Sequence, residues 1–331
     1  MSKGSVRIGF VGTGEIARAH LRTLGNVPEA EIVALCDIDE GRAKRVADPM
    51  GAAVYSNGAR LIARERLDAL YICVPPHAHG DLEIEAARKG LHLFVEKPVN
   101  LSIERALSVS RVIRDAGVMT QVGYGLRYLP AIVRLKAFLA ENDVGTAHVV
   151  RWKGLLDTPW RRRYNESGGL LVEMVTHEID VLRWVMGEVE AVSASYSFRL
   201  HDAPAVTIPD TQAALLQFRS GASATVSATC VLGSAAMSRR MDFVVRGARV
   251  TVQGGEIEIH PQRHVLPPAP AEGLGISATF VRAIATGDGS ALKSPYEDAL
   301  KTLAVTLAAN RSAAEGGRLV QMNELLPPSV H

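Results

Sequence analysis

Glu96-Lys97-Pro98 closes an apolar run, Leu91 to Val95, and so puts an amine at the end of what reads as a buried strand. Pro98 fixes its own φ and disfavours helical backbone at Lys97, which holds the ammonium at a defined turn and not on a mobile surface helix. An amine held in this way can act as an acid, a base or a hydrogen-bond donor to a developing alkoxide. A second chemical stretch runs from Gly168-Gly169 to Trp184. At 3.6 residues per turn, Glu173, His177, Asp180 and Trp184 fall in one stripe, while Leu171, Met174, Val175, Leu182 and Val185 cover much of the opposite face. One helix would then carry an imidazole a turn away from a carboxylate, with Glu173 placed to fix the tautomer of His177. Asp180 reads instead as a residue that ties down nearby backbone groups.

A glycine turn near the N-terminus gives these groups a context. The apolar run Val6 to Val11 meets Gly12-Thr13-Gly14-Glu15-Ile16-Ala17, followed by a helical stretch through about Leu24 and a second apolar run, Ile32 to Cys36, that ends in Asp37. Gly12 permits the tight turn, Gly14 lets a pyrophosphate approach the backbone, and Ala17 is small enough for close packing of helix on strand. The helix N-terminus offers free N–H groups to the phosphates. Asp37 comes twenty positions after Ala17, where a carboxylate accepts hydrogen bonds from the adenosine ribose and repels a 2'-phosphate. The pattern predicts a dinucleotide site over Gly12, Thr13, Gly14, Glu15, Ile16 and Asp37, with NAD preferred to NADP.

These groups need elements to hold them. Strand and helix alternate through the first third: Ala69 to Val74 as a strand, Asp81 to Lys89 as a helix, Leu91 to Val95, a helix from Ser102 to Ala116, and a strand from Met119 to Val122. Such alternation implies a parallel sheet with helices on both faces. After Gly123 the texture changes. A helix near Pro130 to Ala140 precedes segments with a period of two, including Ala147 to Lys153, Val189 to Phe198, Ala213 to Phe218, Ala222 to Cys230 and Met241 to Val245. Ser220-Gly221 and Arg246-Gly247 supply hairpin turns. The fold expected is α/β: an N-terminal Rossmann dinucleotide-binding domain over residues 1–123, then a substrate-binding α/β domain over 124–331 with a large, mainly antiparallel open sheet. Ser294-Pro295-Tyr296-Glu297 reads as a capping box that opens the last helix.

With 331 residues, 47% of them apolar, the chain can bury two cores. The net charge is +2 and the only dense basic run is Arg161-Arg162-Arg163, so neither a nucleic-acid groove nor a polybasic membrane patch is expected. No apolar run has the length of a membrane span and the N-terminus shows no signal peptide. Cys36, Cys73 and Cys230 lack C-x-x-C spacing and read as core residues of a reducing compartment. The expectation is a cytoplasmic protein without a metal site.

The G-x-G-x-x-A turn with its acid, the Glu-Lys-Pro tripeptide and a carboxylate-x-x-x-His helix, in that order, resemble the Gfo/Idh/MocA family over nearly the whole chain. The resemblance implies a Rossmann domain followed by an α/β domain whose open sheet forms oligomer contacts, in a homodimer or homotetramer. It matches Lys97 and His177 to the family's catalytic lysine and histidine, with Glu173 where many members carry aspartate and Val175 in place of a common glycine. The reaction implied is NAD-dependent hydride transfer at a secondary alcohol of a sugar, cyclitol or related polyol. His177, oriented by Glu173, would take the hydroxyl proton while Lys97 hydrogen-bonds the same oxygen, or the two would exchange roles. Pro75, His77 and Glu96 would lie along the cofactor. Tyr124, Arg127 and Tyr128 could bind sugar hydroxyls, with Trp152 and Trp160 as stacking surfaces; Arg161 to Arg163 either recognise an acidic sugar or form a solvated loop. Two other outcomes are an NAD-dependent glycoside hydrolase that works by transient oxidation and elimination, and a non-catalytic NAD and sugar sensor.

Overall fold

The computed structural model describes residues 4–155, 158–200, 205–233, 237–261, 264–267 and 274–327. In chain order its first elements are β1 (Val6–Val11), α1 (Glu15–Leu24), β2 (Ala30–Cys36), α2 (Glu40–Ala47), β3 (Ala53–Tyr55), α3 (Gly58–Arg64), β4 (Ala69–Ile72), α4 (Asp81–Arg88), β5 (His92–Val95), α5 (Ile103–Ala116) and β6 (Thr120–Val122). Then come α6 (Pro130–Ala140), β7 (Val144–Trp152), α7 (Tyr164–Ser167), α8 (Leu170–Glu173), α9 (Thr176–Met186), β8 (Val189–Ser197), β9 (Thr211–Phe218), β10 (Ser223–Thr229), β11 (Ser238–Val245), β12 (Ala248–Gln253), β13 (Glu256–His260) and β14 (His264–Leu266). The last are α10 (Ile276–Thr286), α11 (Tyr296–Ala314) and β15 (Val320–Gln321). The chain forms two compact units, residues 1–123 with 274–300, and residues 124–273 with 301–331.

The first unit is a parallel six-stranded sheet in the order β3-β2-β1-β4-β5-β6, the doubly wound arrangement whose ligands bind beyond the carboxyl ends of the strands. Ala69, Leu70, Tyr71 and Ile72 are all fully buried, which is why β4 reads as a continuous apolar run instead of an alternation. Phe10, Tyr71 and Phe94 stack across β1, β4 and β5 with centroids 4.5 Å apart, and Phe280 meets the last two edge-on at 5.8 Å. That contact corrects the expected boundary. α10 buries Phe280, Val281 and Ile284 in the core of the first unit, so residues 274–300 return to it after residues 124–273 of the second unit. The Ser294 hydroxyl, predicted to cap α11, instead donates to the Val122 carbonyl at 2.8 Å, and the Tyr296 N–H goes to Thr120 Oγ1 at 2.9 Å. The start of α11 is thereby tied to β6.

The second unit holds a nine-stranded sheet in the order β14-β13-β12-β11-β7-β10-β9-β8-β15. Its pairings are antiparallel except for β7 with β10, which run parallel. Gln212, Ala214, Leu216 and Phe218 of β9 are buried while Ala213, Leu215 and Gln217 are exposed. One face is therefore covered and the other open, as an antiparallel sheet allows. Gly221 and Gly247 take φ of +85° and +73° in the two predicted hairpin turns. Among the described residues no helix is long and apolar enough to cross a membrane.

Candidate active site

In the first unit, β1 delivers the chain to Gly12 at φ +91°, where a Cβ would fall 2.2 Å from the Cys73 carbonyl oxygen. Only glycine fits. Gly14 is the N-cap of α1 and has no side-chain cap; a Cβ built on it meets nothing within 4 Å. The turn thus opens on the first N–H groups of α1, at Glu15 and Ile16, where the helix dipole favours an anion such as a diphosphate. Open space at Gly14 is the opening that a dinucleotide's pyrophosphate needs, so the residues fit NAD.

Asp37, at the end of β2, is 6% exposed. Its Oδ2 accepts from Thr13 N at 2.9 Å, Thr13 Oγ1 at 2.8 Å and Arg42 Nε at 3.1 Å, and its Oδ1 from Asp39 N at 3.0 Å and Arg42 Nη2 at 2.5 Å. Burial opposes the charge, but the hydrogen bonds from Arg42, the Asp39 N–H and Thr13 outweigh it and hold the carboxyl at about 2. One aspartate therefore braces the glycine turn, through Thr13, and carries a permanent negative charge beside it. Arg42, on α2, has no signal in the motif. Its side chain is 43% exposed and its guanidinium pairs with Asp37.

Lys97 follows β5 and is half-buried. Its backbone N–H donates to Glu96 Oε2 at 3.2 Å, while Glu96 Oε1 lies 2.9 Å from His20 Nε2 and His20 Nδ1 lies 2.7 Å from Ser277 Oγ. Glu96, His20 and Ser277 are all buried. This chain joins β5, α1 and α10 and fixes the backbone on which the ammonium stands. Pro75 and His77 lie just past β4, with His77 exposed.

In the second unit, the stretch 170–186 is two helices. The N–H groups of Met174 and Val175 both donate to the Leu170 carbonyl, at 2.9 Å, so the second bond spans five residues. This π-type step separates α8, which ends at Glu173, from α9, which starts at Thr176, and interrupts the predicted stripe between its carboxylate and its imidazole. His177 is half-buried, in edge contact with Tyr124 at 6.1 Å. The Tyr124 hydroxyl bonds Thr176 Oγ1 at 3.0 Å. Glu173 is buried, with Oε1 3.2 Å from Arg161 Nε, and Arg161 lies over the Trp160 ring at 5.2 Å.

Two expected substrate contacts have other work. Arg127 is 2% exposed and its guanidinium pairs with Asp180 through bonds of 2.8 and 2.7 Å; Thr302 Oγ1 also donates to Asp180, at 3.0 Å. Asp180 accordingly ties down side chains where backbone groups were expected. Tyr124 is 1% exposed and meets the His177 ring edge-on. Trp152 stands on the open face of the sheet, its indole N–H on Ser227 Oγ at 3.1 Å.

Residues 6–124 match the profile of the Gfo/Idh/MocA oxidoreductase family, NAD-binding Rossmann fold, and residues 132–253 that of its C-terminal domain. The chain is 31% identical over 232 residues to scyllo-inositol 2-dehydrogenase (NAD(+)) of Bacillus subtilis, covering 68% of this chain and 67% of that protein. The chain belongs to the Gfo/Idh/MocA family. Myo-inositol 2-dehydrogenase of Thermotoga maritima is 29% identical over 66% of either chain. The matches span about two thirds of the length of these curated relatives. Levoglucosan dehydrogenase in complex with NADH shares the fold with a TM-score of 0.83 at 20% identity, over 96% of this chain and 99% of the other. So does an oxidoreductase from Agrobacterium radiobacter in complex with NAD+, L-tartaric acid and magnesium, with a TM-score of 0.84 at 22% identity, over 97% and 100%.

In this Gfo/Idh/MocA chain the residues predicted for the cofactor gather at one edge of the parallel sheet. Gly12 to Ile16 follow β1, Asp37 follows β2, Pro75 and His77 follow β4, and Glu96 and Lys97 follow β5. His20, Arg42 and Ser277 carry no motif signal in the sequence. Arg42 sits in the first turn of the helix that follows Asp37, five positions on.

Proposed function

We propose that the chain oxidises a secondary hydroxyl of a sugar, cyclitol or related polyol. The observation that carries this reading is the glycine turn braced by an ionised Asp37, at the same sheet edge as the lysine that ends β5. Bound NAD would supply the hydride acceptor. Lys97 hydrogen-bonds the substrate oxygen and stabilises its alkoxide character as the C–H bond weakens. His177 takes the hydroxyl proton, so the two electrons leave with the hydride and the proton stays on the imidazole. Tyr124 backs that imidazole, Glu173 carries the negative charge that faces Arg161, and Trp160 offers an apolar wall. Relatives named as inositol dehydrogenases favour the polyol class. We also read the open face of the second unit's sheet, with Leu215, Val244 and Trp152 exposed, as the contact of a homodimer or homotetramer, checked by light scattering.

The deciding measurement is NADH absorbance with the purified chain, NAD and a panel of inositols, aldoses and alditols. A dehydrogenase accumulates NADH. Release of a glycoside's leaving group without NADH would replace this reading with oxidation and elimination, and binding without either product would make the protein a sensor.

A further inference from the structure

A charged cluster at the first turn of α9 is not used by the chemistry above. Glu178, the residue after His177, is 1% exposed. Its Oε1 accepts from Arg239 Nε at 2.7 Å, and Arg151 Nε stands 3.8 Å from the same atom, beyond hydrogen-bond reach. Among the described residues, Glu178 Oε2 and Arg151 Nε are buried without hydrogen-bond partners. Arg151 and Arg239 are directly opposite each other in the antiparallel pair β7 and β11, on the face where Val149 and Met241 are buried. Like charges in that position destabilise a sheet, and one carboxylate that bonds only one of them leaves the strain in place.

The neighbourhood is wider than the pair. Burial pushes the Arg151 guanidinium below its ordinary value, Glu178 and Glu173 counter this, and Arg239 adds to it. Glu173 itself lies against Arg161, whose Nε also has no hydrogen-bond partner among the described residues. Among the described residues, Arg151, Arg161 and Arg239 thus share two carboxylates, with one positive charge in excess. Their side chains are 22%, 31% and 43% exposed, so each arginine reaches solvent although the Nε atoms of Arg151 and Arg161 are buried.

We propose that Arg151 and Arg239 bind a carboxylate of the substrate, and that the polyol oxidised is a sugar acid, an aldonate or uronate. The inference rests on the dehydrogenase reading and narrows its substrate. Guanidiniums take carboxylates in a two-point fork. A single excess positive charge balances a carboxylate, whereas a phosphate ester brings about −1.5 to −2. The substrate's carboxylate supplies the second anion that the opposed arginines lack, and Glu178, which bonds Arg239, directly follows the His177 base in α9.

The test pairs binding with turnover, using the full chain with NAD. D-gluconate and D-glucuronate are compared with D-glucose, myo-inositol and D-glucose 6-phosphate by thermal shift and by NADH formation. Sugar acids are expected to bind and react best. Arg151→Met and Arg239→Gln should raise KM for the acids by about 10- to 100-fold and lower the acid-over-neutral preference by the same factor, with Arg151→Lys recovering part of it. NAD affinity should stay the same, which a variant that failed to fold would not do. Neutral polyols preferred by the wild type, phosphate preferred over carboxylate, or an acid KM indifferent to both variants would each overturn the proposal. Arginine-dependent binding of sugar acids without NADH would uphold the carboxylate site and refute the dehydrogenase reading instead.

Discussion

Replacing Asp37 with serine removes one carboxylate that braces the glycine turn and also repels a 2'-phosphate. Its oxygens accept from Thr13, Asp39 and Arg42, and the carboxyl sits at about 2 against an ordinary 3.8; that depression is worth about 2 kcal/mol. Because the folded value is the lower one, the stabilisation is present above the ordinary value of 3.8 and is lost as pH falls toward about 2. Asp37→Ser should therefore unfold about 2 kcal/mol more easily at neutral pH, and its stability should decline less between pH 4 and 2 than that of the wild type. Binding changes in a second way. Loss of a charged acceptor for the ribose hydroxyls costs about 1.5–3 kcal/mol, or about 10- to 100-fold in the NAD Kd. Arg42, released from Asp37, becomes free to pair with a 2'-phosphate, which tightens NADP by a similar factor. The preference should move toward NADP by about 10²- to 10⁴-fold, and Asp37→Ser with Arg42→Met should keep the loss for NAD without the gain for NADP. Calorimetric titration of the folded proteins with both nucleotides reads these ratios. A wild type that binds NADP as tightly as NAD, or a serine variant with an unchanged ratio, would refute the reasoning.

Lys97→Met and His177→Ala should each lower turnover by about 10²- to 10⁴-fold and leave NAD affinity nearly constant. Their combination should cost less than the product if both act on one proton transfer, and wild-type turnover in Lys97→Met would remove it from the mechanism. Gly12→Ala drives a methyl group into the Cys73 carbonyl at a φ that alanine avoids; a loss of at least about 1–3 kcal/mol and of NAD binding is expected in urea unfolding and titration. Asp180→Ala strands the buried Arg127 guanidinium and should cost about 3–5 kcal/mol; an unchanged urea midpoint would mean that the pair is incidental.

The nucleotide half is legible because its signals are local: apolar run, glycine turn and acid occupy the first 37 residues, and each constrains the next. What spacing could not reveal lies at long range. His20 meets Glu96 and Ser277 across 76 and 257 positions, and no pattern in any one segment foretells either contact. Periodicity found the faces of 170–186 but assumed one register, and the π-type step at Met174 and Val175 changes it between the two residues whose alignment mattered most. Arg127 reads as a ligand because arginines bind sugars at surfaces; only the fold reveals that Asp180 has taken its charge inside. The parallel pairing of β7 with β10 was likewise hidden, because strand composition does not encode which neighbour a strand selects.

The return of α10 to the first unit sets the order in which the protein can be completed as it is made. Phe10, Tyr71 and Phe94 leave the ribosome early, but the ring that closes over Tyr71 and Phe94, Phe280, emerges only after the whole nine-stranded sheet apart from β15 has been synthesised. Until then the nucleotide unit shows an apolar face to the cell, the state most open to chaperones and proteases. A fragment ended at Gly123 would keep that face permanently. The nucleotide-binding half is contiguous in function but not in the gene, and any excised version of it must carry residues 274–300 along.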